Sequence, residues 1–447
     1  MDWTKDETKK LTDRILSFSK AESTFVAVTL TDRANLRFAR NTATTAGAAT
    51  QINVAITASF GKRSATVTVA QLDDESLRRA CGRAEEVAKL SPENPEAMPD
   101  LGPQTYVTTK AYFDDAAKAS PEWRAQAAES AIALSKKKEV VSAGFVETQA
   151  ITQAVASSKG LFAYDRYSAA DFNLTARTPD GSGSGWASKS FNELRLLEPE
   201  KLATAAIDKA VLAKAPAGIE PGKYTVVLEP SAVADLVAFM FFSGDARQSD
   251  EGRSFYSKKG GGNRIGEQIV GEKVNVYSDP AHPLAPTVPF DGAGLPVTRN
   301  AWIEKGVLKD LSYSRFWAQK MGKKPTGGPN NIIMDGGTAT MTDLIAGVER
   351  GVLVTRFWYI RPLDPQTILY TGLTRDGLFL IEKGKVTRPV KNMRWNERPI
   401  VAFNNLEAMT PAERVVSGEG IGGAGFSIVC PAARIREFTF SSSSDAV

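Results

Sequence analysis

Residues 229–255, EPSAVADLVAFMFFSGDARQSDEGRSF, have the pattern of a helix that runs into an acidic, serine-rich turn. Asp235 lies in the first turns of this helix, where a carboxylate interacts favourably with the helix N-terminus. Apolar side chains cover nearly the whole helix surface: Val233, Leu236, Val237, Met240 and Phe241. Because a helix that is apolar on every side is usually buried, this stretch predicts a helix in the protein core.

Beyond this helix the chain consists mainly of short strands separated by Gly and Pro turns. Strand patterns are evident in EKVNVYSD (272–279), GVLVTRFWYIRPL (351–363) and FSIVCPAARIREFTF (426–440). Many strands at close spacing are typical of a β-sandwich or a barrel. Residues 222–447 are therefore predicted to form a β-rich domain with a sandwich or barrel-like architecture.

The residues before the helix alternate between helical and strand patterns. Helical patterns cover residues 4–19, 74–90, 121–137 and 199–213. Residues 216–222, PAGIEPG, are rich in Pro and Gly and mark the predicted domain boundary. We predict an α+β protein of two domains, in which residues 1–215 form an α/β domain with helices on mixed sheets.

With 42% apolar and 24% charged residues, the chain has the composition of a soluble globular protein. The net charge of +4 is small and the basic residues are scattered, which argues against a dedicated nucleic-acid surface. The start, MDWTKDETKKLTDRILSF, is too charged for the core of a signal peptide. No stretch approaches the roughly 18 apolar residues of a membrane span. We therefore expect a cytoplasmic protein without a membrane span.

His282 is the single histidine in the chain. Zinc enzymes usually use two or three imidazoles, and serine hydrolases need one as a base. His282 lies between Pro280 and Pro283 and is interpreted as a surface or loop-packing residue. Cys81 and Cys430, in a helical and a strand pattern, are interpreted as packing residues. We expect no catalytic residue, no metal and no cofactor.

Two further segments carry groups that could bind a ligand. Asp245, Asp250 and Glu251 supply oxygen atoms suited to Mg²⁺ or Ca²⁺, but their spacing matches no calcium loop. Solvated acidic side chains are the simpler interpretation of this turn. Residues 258–266, KKGGGNRIG, lack the Gly-Lys-Ser/Thr ending of a phosphate loop and precede a strand, so they are interpreted as a surface turn.

Residues 320–337, KMGKKPTGGPNNIIMDGG, are the candidate peptide-binding segment. Glycines allow a close approach of backbone, and NNIIMDGG could form a strand whose open edge accepts an extended peptide. The alternative interpretation is a glycine-rich loop without a binding role. The residues assigned to possible peptide binding are Thr326, Gly327, Gly328, Asn330 and Asn331.

Several segments of the second half occur in a diagnostic order. They are EGRSFYSKKGG (251–261), GEKVNVYSDP (271–280), PFDGAGLPVTRNAWIEKGVLKDLSYSRFWAQKMGKKPTGGPNN (289–331), GVLVTRFWYIRPLDPQTILYTGLTRDGLFLIEKGKV (351–386) and VCPAARIREFTF (429–440). In this order the chain resembles the TldD/PmbA (TldE) family, also called modulator of DNA gyrase. The resemblance covers most of residues 221–440.

The resemblance implies a two-domain chain, α/β at its N-terminal end and β-rich at its C-terminal end, that forms dimers enclosing a central cavity. In the TldD branch of the family, a helix with an H-E-x-x-x-H motif and a distal cysteine bind zinc. The TldE/PmbA branch lacks this motif and pairs with the active subunit. Together the two branches are associated with proteolysis of unfolded or modified peptides, including maturation of peptide antibiotics, and with antitoxin turnover.

By order along the chain, the motif positions of that helix fall on Ala238, Phe239 and Ser243. The distal cysteine is expected within residues 416–420, VSGEG. No histidine or cysteine occupies any of these positions, and a zinc site cannot be built from hydroxyl groups and aromatic rings. The resemblance therefore implies a helix that has kept its packing role and lost the zinc site.

The sequence thus predicts a TldE/PmbA-like protein without zinc that is not catalytic by itself. We expect a homodimer, or a heterodimer with a TldD-type zinc peptidase, that binds an extended or unfolded peptide. Two other functions remain open. One is an active peptidase with a non-standard site that uses Asp245, Asp250, Glu251 or His282 and a recruited metal. The other is a regulator that binds DNA gyrase or another protein.

Overall fold

Residues 3–423 and 425–444 are described by the computed structural model of the chain. The helices of its N-terminal part are α1 (Lys5–Phe18), α2 (Asp74–Leu90), α3 (Asp114–Ala117), α4 (Pro121–Lys137) and α5 (Pro199–Leu212). The strands of this part are β1 (Ser23–Ala39), β2 (Thr42–Phe60), β3 (Arg63–Val69), β4 (Val141–Ser157), β5 (Phe162–Arg177) and β6 (Ser184–Phe191). A 3₁₀ turn, Leu194–Leu196, precedes α5.

Side-chain caps fix where the first two helices begin. Before α1, the Thr4 hydroxyl accepts from the Glu7 N–H at 3.2 Å, and the Glu7 carboxylate accepts from the Thr4 N–H at 2.9 Å. This reciprocal capping box satisfies two backbone donors that have no partner inside the helix. Before α2, the Asp73 carboxylate accepts from the Ser76 N–H at 2.9 Å. Local sequence therefore determines these helix starts.

Strands β1 to β6 form one sheet in the order β3-β2-β1-β4-β5-β6, and each neighbouring pair is antiparallel. Short turns join the strands within β1–β3 and within β4–β6, so no crossover helix places two neighbours parallel. The α+β class is confirmed. Within it, the N-terminal sheet is antiparallel throughout, where we expected mixed sheets.

Helices α1, α2, α4 and α5 cover one face of this sheet. Val26 and Val28 of β1 belong to one buried cluster with Ile15 of α1 and Leu77 of α2. Phe172 of β5 belongs to a second cluster that contains residues of α4 and α5. The alternation of buried and half-buried residues along β1 follows from this one-sided covering.

Strand β2 extends beyond its outer neighbour. β3 pairs with residues 54–60 only, so residues 42–53 pair with β1 on one side and with no described strand on the other. Residues 42–51 are all exposed. The β1–β2 hairpin therefore ends in an open sheet edge.

The C-terminal part contains the following helices and strands in chain order: β7 (Gly222–Leu228), α6 (Pro230–Phe242), α7 (Ala246–Asp250), β8 (Val276–Ser278), β9 (Asn300–Glu304), β10 (Val307–Leu308), α8 (Arg315–Lys320), β11 (Asn331–Met334), α9 (Met341–Ala346), β12 (Arg350–Asp364), β13 (Leu369–Glu382), β14 (Lys385–Pro389), β15 (Met393–Glu397), α10 (Pro399–Asn404), β16 (Leu406–Met409), β17 (Glu413–Val415), β18 (Ser427–Cys430) and β19 (Ala433–Ser443).

Strands β12, β7, β19, β15 and β13 pair in this order, and β13 pairs back with β12 to close a five-stranded barrel. The β12–β7 pair is parallel, whereas the other barrel pairs are antiparallel. A second sheet has the order β10-β9-β8-β11-β18-β17. The predicted β-rich, barrel-like C-terminal part is confirmed, while the domain boundary at residues 216–222 stays a prediction.

Helix α6 lies in the core that the barrel and the second sheet share. Residues 232–238 and Met240 are buried. The helix belongs to one apolar cluster with Phe357 and Trp395 of the barrel and Ile332 of the second sheet. The prediction of a core helix is therefore confirmed. Within residues 3–423 and 425–444, no helix combines the length and apolar character needed to cross a membrane.

A buried ion pair joins the barrel to the N-terminal sheet. Arg356 of β12 contacts the Asp376 carboxylate of β13 through Nε at 2.7 Å and Nη2 at 2.5 Å. The Ser184 hydroxyl of β6 donates to the other oxygen of the fully buried Asp376. Arg356 Nη1 also donates to the Gly418 carbonyl at 2.9 Å. One guanidinium group thus links three parts of the chain.

Replacing Arg356 with Met is expected to lower the free energy of unfolding by about 3 kcal/mol, because the buried Asp376 charge then loses its nearest cation and keeps only the weaker contact with Arg375 Nε at 3.9 Å. Guanidinium-induced unfolding followed by tryptophan fluorescence measures the change. The double variant Arg356→Met with Asp376→Asn removes that charge and suits the positive φ of 55° at position 376. It should recover most of the loss, and an equal loss in both variants would contradict the assignment.

Candidate functional site

Helix α6 and the loop of residues 416–420 are in direct contact through Asp235. The Asp235 carboxyl oxygens accept from the Gly418 N–H at 3.1 Å and from the Glu419 N–H at 3.2 Å. The loop is closed on itself, since the Ser417 N–H donates to the Ile421 carbonyl at 2.7 Å. The two segments that the family resemblance assigns to the zinc site therefore lie side by side, joined three residues before Ala238.

The Asp235 side chain is completely buried. Burial raises its pKa to about 8, because the charged form loses its hydration. Hydrogen bonds from Ser417, Glu419 and Gly418 oppose this effect, whereas the negative charge of Glu419 adds to it. The carboxyl group is therefore mainly protonated at neutral pH. The interpretation of Asp235 as a charge beside the helix N-terminus is wrong, because the residue points into the core.

The three motif positions on α6 hold packing residues. Ala238 is fully buried. The Phe239 ring packs against Tyr370 at a centroid distance of 4.9 Å and against Phe242 at 6.2 Å. The Ser243 hydroxyl lies 3.3 Å from the Phe239 carbonyl and 3.4 Å from the Tyr370 hydroxyl. A single hydroxyl that is already hydrogen-bonded does not fit a zinc ion, whose protein ligands are imidazole, thiolate and carboxylate groups.

No other part of the described chain supplies a metal-binding cluster. In residues 3–423 and 425–444, no group of three or more His, Cys, Asp or Glu side chains is arranged so that it could hold a metal ion. The zinc ion that the family implies therefore has no matching ligand set in this part of the chain.

Both cysteines are buried and hydrogen-bonded to backbone. Cys430 Sγ donates to the Pro230 carbonyl at 3.2 Å, and burial raises the pKa of this thiol well above its usual range. Cys81 Sγ lies 3.7 Å from the Ile15 carbonyl, and burial raises its pKa to about 11. A raised pKa disfavours the nucleophilic thiolate. The burial agrees with the interpretation of both residues as packing residues.

The acidic residues after α6 have local structural roles. Asp245 caps α7 by accepting from the Gln248 N–H at 2.7 Å. Asp250 accepts from the indole N–H of Trp317 at 2.7 Å. Glu251 forms ion pairs with two arginine side chains, Arg247 and Arg253. Their oxygen atoms are thus directed at different partners and do not converge on one point.

The other two candidate segments form local turns. The Lys258 N–H donates to the Gly262 carbonyl at 2.9 Å, which closes the glycine-rich turn as the sequence predicts. His282 Nδ1 accepts from the Leu284 N–H at 3.3 Å within its own loop. Burial lowers the pKa of His282, so the neutral imidazole is favoured.

The proposed open edge of NNIIMDGG is wrong, because β11 is an interior strand. Residues 331–333 pair with β18 on one side and residues 333–334 pair with β8 on the other, so neither side of the strand is an open edge along its length. The Asn331 side chain is also engaged, donating to the Asp279 carbonyl at 2.6 Å and to the Ala285 carbonyl at 2.7 Å. Peptide binding by strand addition is therefore excluded for residues 331–334.

The residues just before β11 line a cavity of about 380 Å³. Gly328 and Asn330 form part of one wall, and Gln153 and Tyr167 of the N-terminal sheet form part of the facing wall. Asn330 Nδ2 donates to the Val288 carbonyl at 2.7 Å, which fixes this wall. Thr326 and Gly327 are not among the lining residues and instead bond with Tyr313 backbone. Gly328 and Asn330 therefore remain candidate peptide-binding residues, because they line this cavity.

Sequence reasoning missed the role of Asp235. A single acidic residue within an otherwise apolar helix face is the signal that could have indicated it, because buried carboxyl groups need hydrogen-bond partners. The partners lie about 180 residues further along the chain, which no local pattern reveals.

Two family models match the chain. Residues 221–442 match the PmbA/TldA metallopeptidase C-terminal domain, and residues 112–214 match the PmbA/TldA metallopeptidase central domain.

Sequence relatives and solved structures agree with these matches. A metalloprotease of Methanothermobacter thermautotrophicus is 24% identical over 262 residues, which are 53% of this chain and 55% of that protein. A zinc metalloprotease TldD homolog of Saccharolobus solfataricus is 22% identical over 215 residues, 44% of this chain and 46% of that protein. The chain thus spans about half the length of the curated relatives it matches.

The structure of TldE from Thermococcus kodakarensis has a TM-score of 0.85 and 19% identity, and the match covers 97% of this chain and 99% of that chain. A Thermotoga maritima protein described as a candidate modulator of a DNA gyrase has a TM-score of 0.85 and 18% identity, with 97% of this chain and 100% of that chain covered. At these identities the likeness shows a shared fold.

The raised pKa of Asp235 predicts a pH-dependent stability. The folded protein holds a proton here up to about pH 8, whereas the unfolded chain releases it near pH 4. The stabilisation is therefore complete below about pH 4 and decreases as the pH rises to about 8. The difference in unfolding free energy between the native protein and Asp235→Asn should fall by roughly 1 kcal/mol per pH unit between about pH 5 and pH 7.

Urea unfolding at several pH values measures this difference. Asp180→Asn is the matched control, because Asp180 is exposed and its pKa is lowered, chiefly by a hydrogen bond from Thr178. The control should show no such slope in this range. Parallel pH profiles for the native protein and Asp235→Asn would contradict a buried, protonated Asp235.

Proposed function

The chain belongs to the TldD/PmbA metallopeptidase family, and on this basis we propose that it is a zinc-less, TldE/PmbA-like member that does not hydrolyse peptides by itself. In this proposal it forms a homodimer, or a heterodimer with a TldD-type zinc peptidase. It supports proteolysis by holding an extended or unfolded peptide in a cavity and needs no metal or cofactor of its own.

The composition of α6 carries the proposal. The helix lies in the C-terminal core, and its motif positions hold Ala238, Phe239 and Ser243. A peptidase of this family needs zinc to activate water and a carboxylate base beside it. The Asp235 carboxyl is unsuited to that role, because it is fully buried and bound to backbone N–H groups of the neighbouring loop.

The cavity beside Gly328 and Asn330 supports the peptide-binding part of the proposal. It lies between the N-terminal sheet and loops that precede β11. Its walls combine backbone groups with the side chains of Gln153, Tyr167 and Asp291. Such groups can bond to the amide groups of an extended peptide without selecting one side-chain sequence.

The two alternative functions have less support in the structure. A non-standard peptidase site would need Asp245, Asp250, Glu251 or His282 to converge on one metal, and their hydrogen bonds go to separate partners. A regulator that binds DNA gyrase has the descriptions of two similar structures in its favour. The small net charge of +4 offers no further argument for contact with DNA.

A cleavage assay with fluorescein-labelled casein, an unfolded substrate, tests the proposal. The chain alone should release no label and contain no stoichiometric zinc by atomic absorption. When a TldD-type subunit from the same cells is co-purified with it, cleavage should exceed that of the subunit alone by about tenfold or more, because substrate binding contributes to the rate.

Chelator-sensitive cleavage by the chain alone would overturn the proposal in favour of the non-standard peptidase. Capture of gyrase with no effect on cleavage would favour the regulator. Either result can be told apart from simple loss of folding by the circular dichroism spectrum of the purified chain.

Replacing Gly328 with Phe tests the cavity. A Cβ atom at this position meets no atom within 4 Å, so the ring can extend into the cavity without backbone strain. We expect the affinity for labelled casein to fall by about tenfold or more, since a ring removes space that a peptide needs. Fluorescence anisotropy measures the affinity.

Gly218→Phe is the matched control. Gly218 is also exposed, also has open space around its Cβ position, and does not line the cavity. Both variants should keep the unfolding midpoint of the native protein. Equal affinity of the two variants for casein would show that the peptide binds elsewhere.

A further inference from the structure

The open edge of β2 is the most exposed stretch of regular structure in the N-terminal part. Residues 42–53, TATTAGAATQIN, pair with β1 on one side only. All ten residues from 42 to 51 are exposed, so neither face of the strand is covered by a helix there. A β-bulge between Arg37 and Phe38 shifts the register of residues 42–44 against β1. Residues 45–53 pair with β1 in an unbroken register.

This edge lacks the usual features that prevent strand association. Exposed edge strands in natural proteins commonly carry Lys, Pro or inward-pointing charges, or are very short. Residues 42–53 contain no charged residue and no proline, and their side chains are mostly Ala and Thr. A row of free backbone N–H and C=O groups on a flat, uncharged strand is a template for another strand.

The sequence of the edge indicates which strand fits it. Residues 44–50, TTAGAAT, read nearly the same in both directions about Gly47. In an antiparallel pair centred on Gly47, Ala46 would lie opposite Ala48 of a second copy, and Thr45 opposite Ala49. Each such pair consists of small residues on the same face of the sheet. A surface that matches itself in this way is what a two-fold symmetric contact requires.

We propose that residues 42–53 pair antiparallel with the same residues of a second copy of this chain, with the two-fold axis at Gly47. The two N-terminal sheets then form one continuous sheet across the axis. This inference rests on the dimer of the proposed function and assigns the surface that forms it. It does not depend on the peptide cavity.

A charge-pair experiment tests the register. In the double variant Ala46→Lys, Ala48→Lys, the proposed register places Lys at position 46 of each copy opposite Lys at position 48 of the other copy. The two like-charge pairs should destabilise the dimer. In Ala46→Lys with Ala48→Glu, the same positions place opposite charges together. Both sites are exposed, so both variants should fold with unchanged circular dichroism and unfolding midpoint.

Sedimentation equilibrium of the full chain is the measurement. The native protein should be a dimer, and the Lys/Lys variant should dissociate with a constant raised by about tenfold or more. The Lys/Glu variant should stay close to the native protein. Equal weakening of both double variants, or no weakening of either, would overturn the proposal.

A disulfide across the axis provides an independent test. Antiparallel partners have Cα atoms about 4.5–5.5 Å apart, which is within the range that a disulfide spans. Gly47→Cys introduces a thiol where a Cβ atom meets no neighbour within 4 Å, while both native cysteines are buried. Mild oxidation should convert most of this variant into a covalent dimer on a non-reducing gel.

Thr42→Cys is the control for random collision. In the proposed pairing the two Thr42 residues are separated by ten strand positions, or roughly 33 Å, so this variant should remain uncrosslinked. Equal crosslinking of the two variants would contradict the axis at Gly47.

These outcomes are distinct from failure of the proposed function. A native chain that is monomeric alone but forms a stable complex with a TldD-type subunit would overturn the self-pairing while leaving the proposed function intact. A Lys/Lys variant that is monomeric yet binds casein normally would support the self-pairing and show that peptide binding is separate.

Discussion

The core of the C-terminal part depends on one buried carboxyl group. Asp235 sits inside an apolar helix, and a polar group there is stable only if its hydrogen-bonding capacity is met. Its partners are backbone N–H groups of the loop that contains Gly418. The Gly418 carbonyl in turn accepts from Arg356, whose guanidinium pairs with Asp376, which accepts from Ser184 of the N-terminal sheet. A continuous path of buried polar contacts thus runs from the central helix to the other half of the chain.

This path explains why α6 and the 416–420 loop are held together in a chain without zinc ligands at the motif positions. In a zinc peptidase the metal itself would tie a helix to a distal ligand. Here hydrogen bonds from backbone to Asp235 make that connection. Aromatic contacts of Phe239 with Tyr370 and Phe242 fill the space next to it. The geometry of the two segments is therefore maintained by ordinary packing and hydrogen bonding.

Much of this fold could be predicted from local sequence patterns. The parts that could not be predicted are those set by residues far away along the chain. The apolar surface of α6 was sufficient to predict a buried helix, and strand spacing was sufficient to predict a barrel-like second half. The position of β11 could not be predicted in this way, because its neighbours β8 and β18 lie far from it along the chain. Strand direction in the N-terminal sheet was also missed, since helices between strands do not reveal whether the strands they separate are neighbours.

The candidate site shows the same division. The order of family segments indicated α6 and residues 416–420 as the two parts of the implied site, but it did not indicate Asp235, the residue that joins them. The closed barrel has a further consequence for synthesis of the chain. Leu228 of β7 pairs with Ala433 of β19, so the barrel cannot close until nearly the whole chain has left the ribosome. The N-terminal sheet can form once Phe191 has been synthesised. The apolar helix α6 becomes buried only after the last barrel strands have been synthesised. During that interval the nascent chain exposes a hydrophobic segment of the kind that chaperones bind.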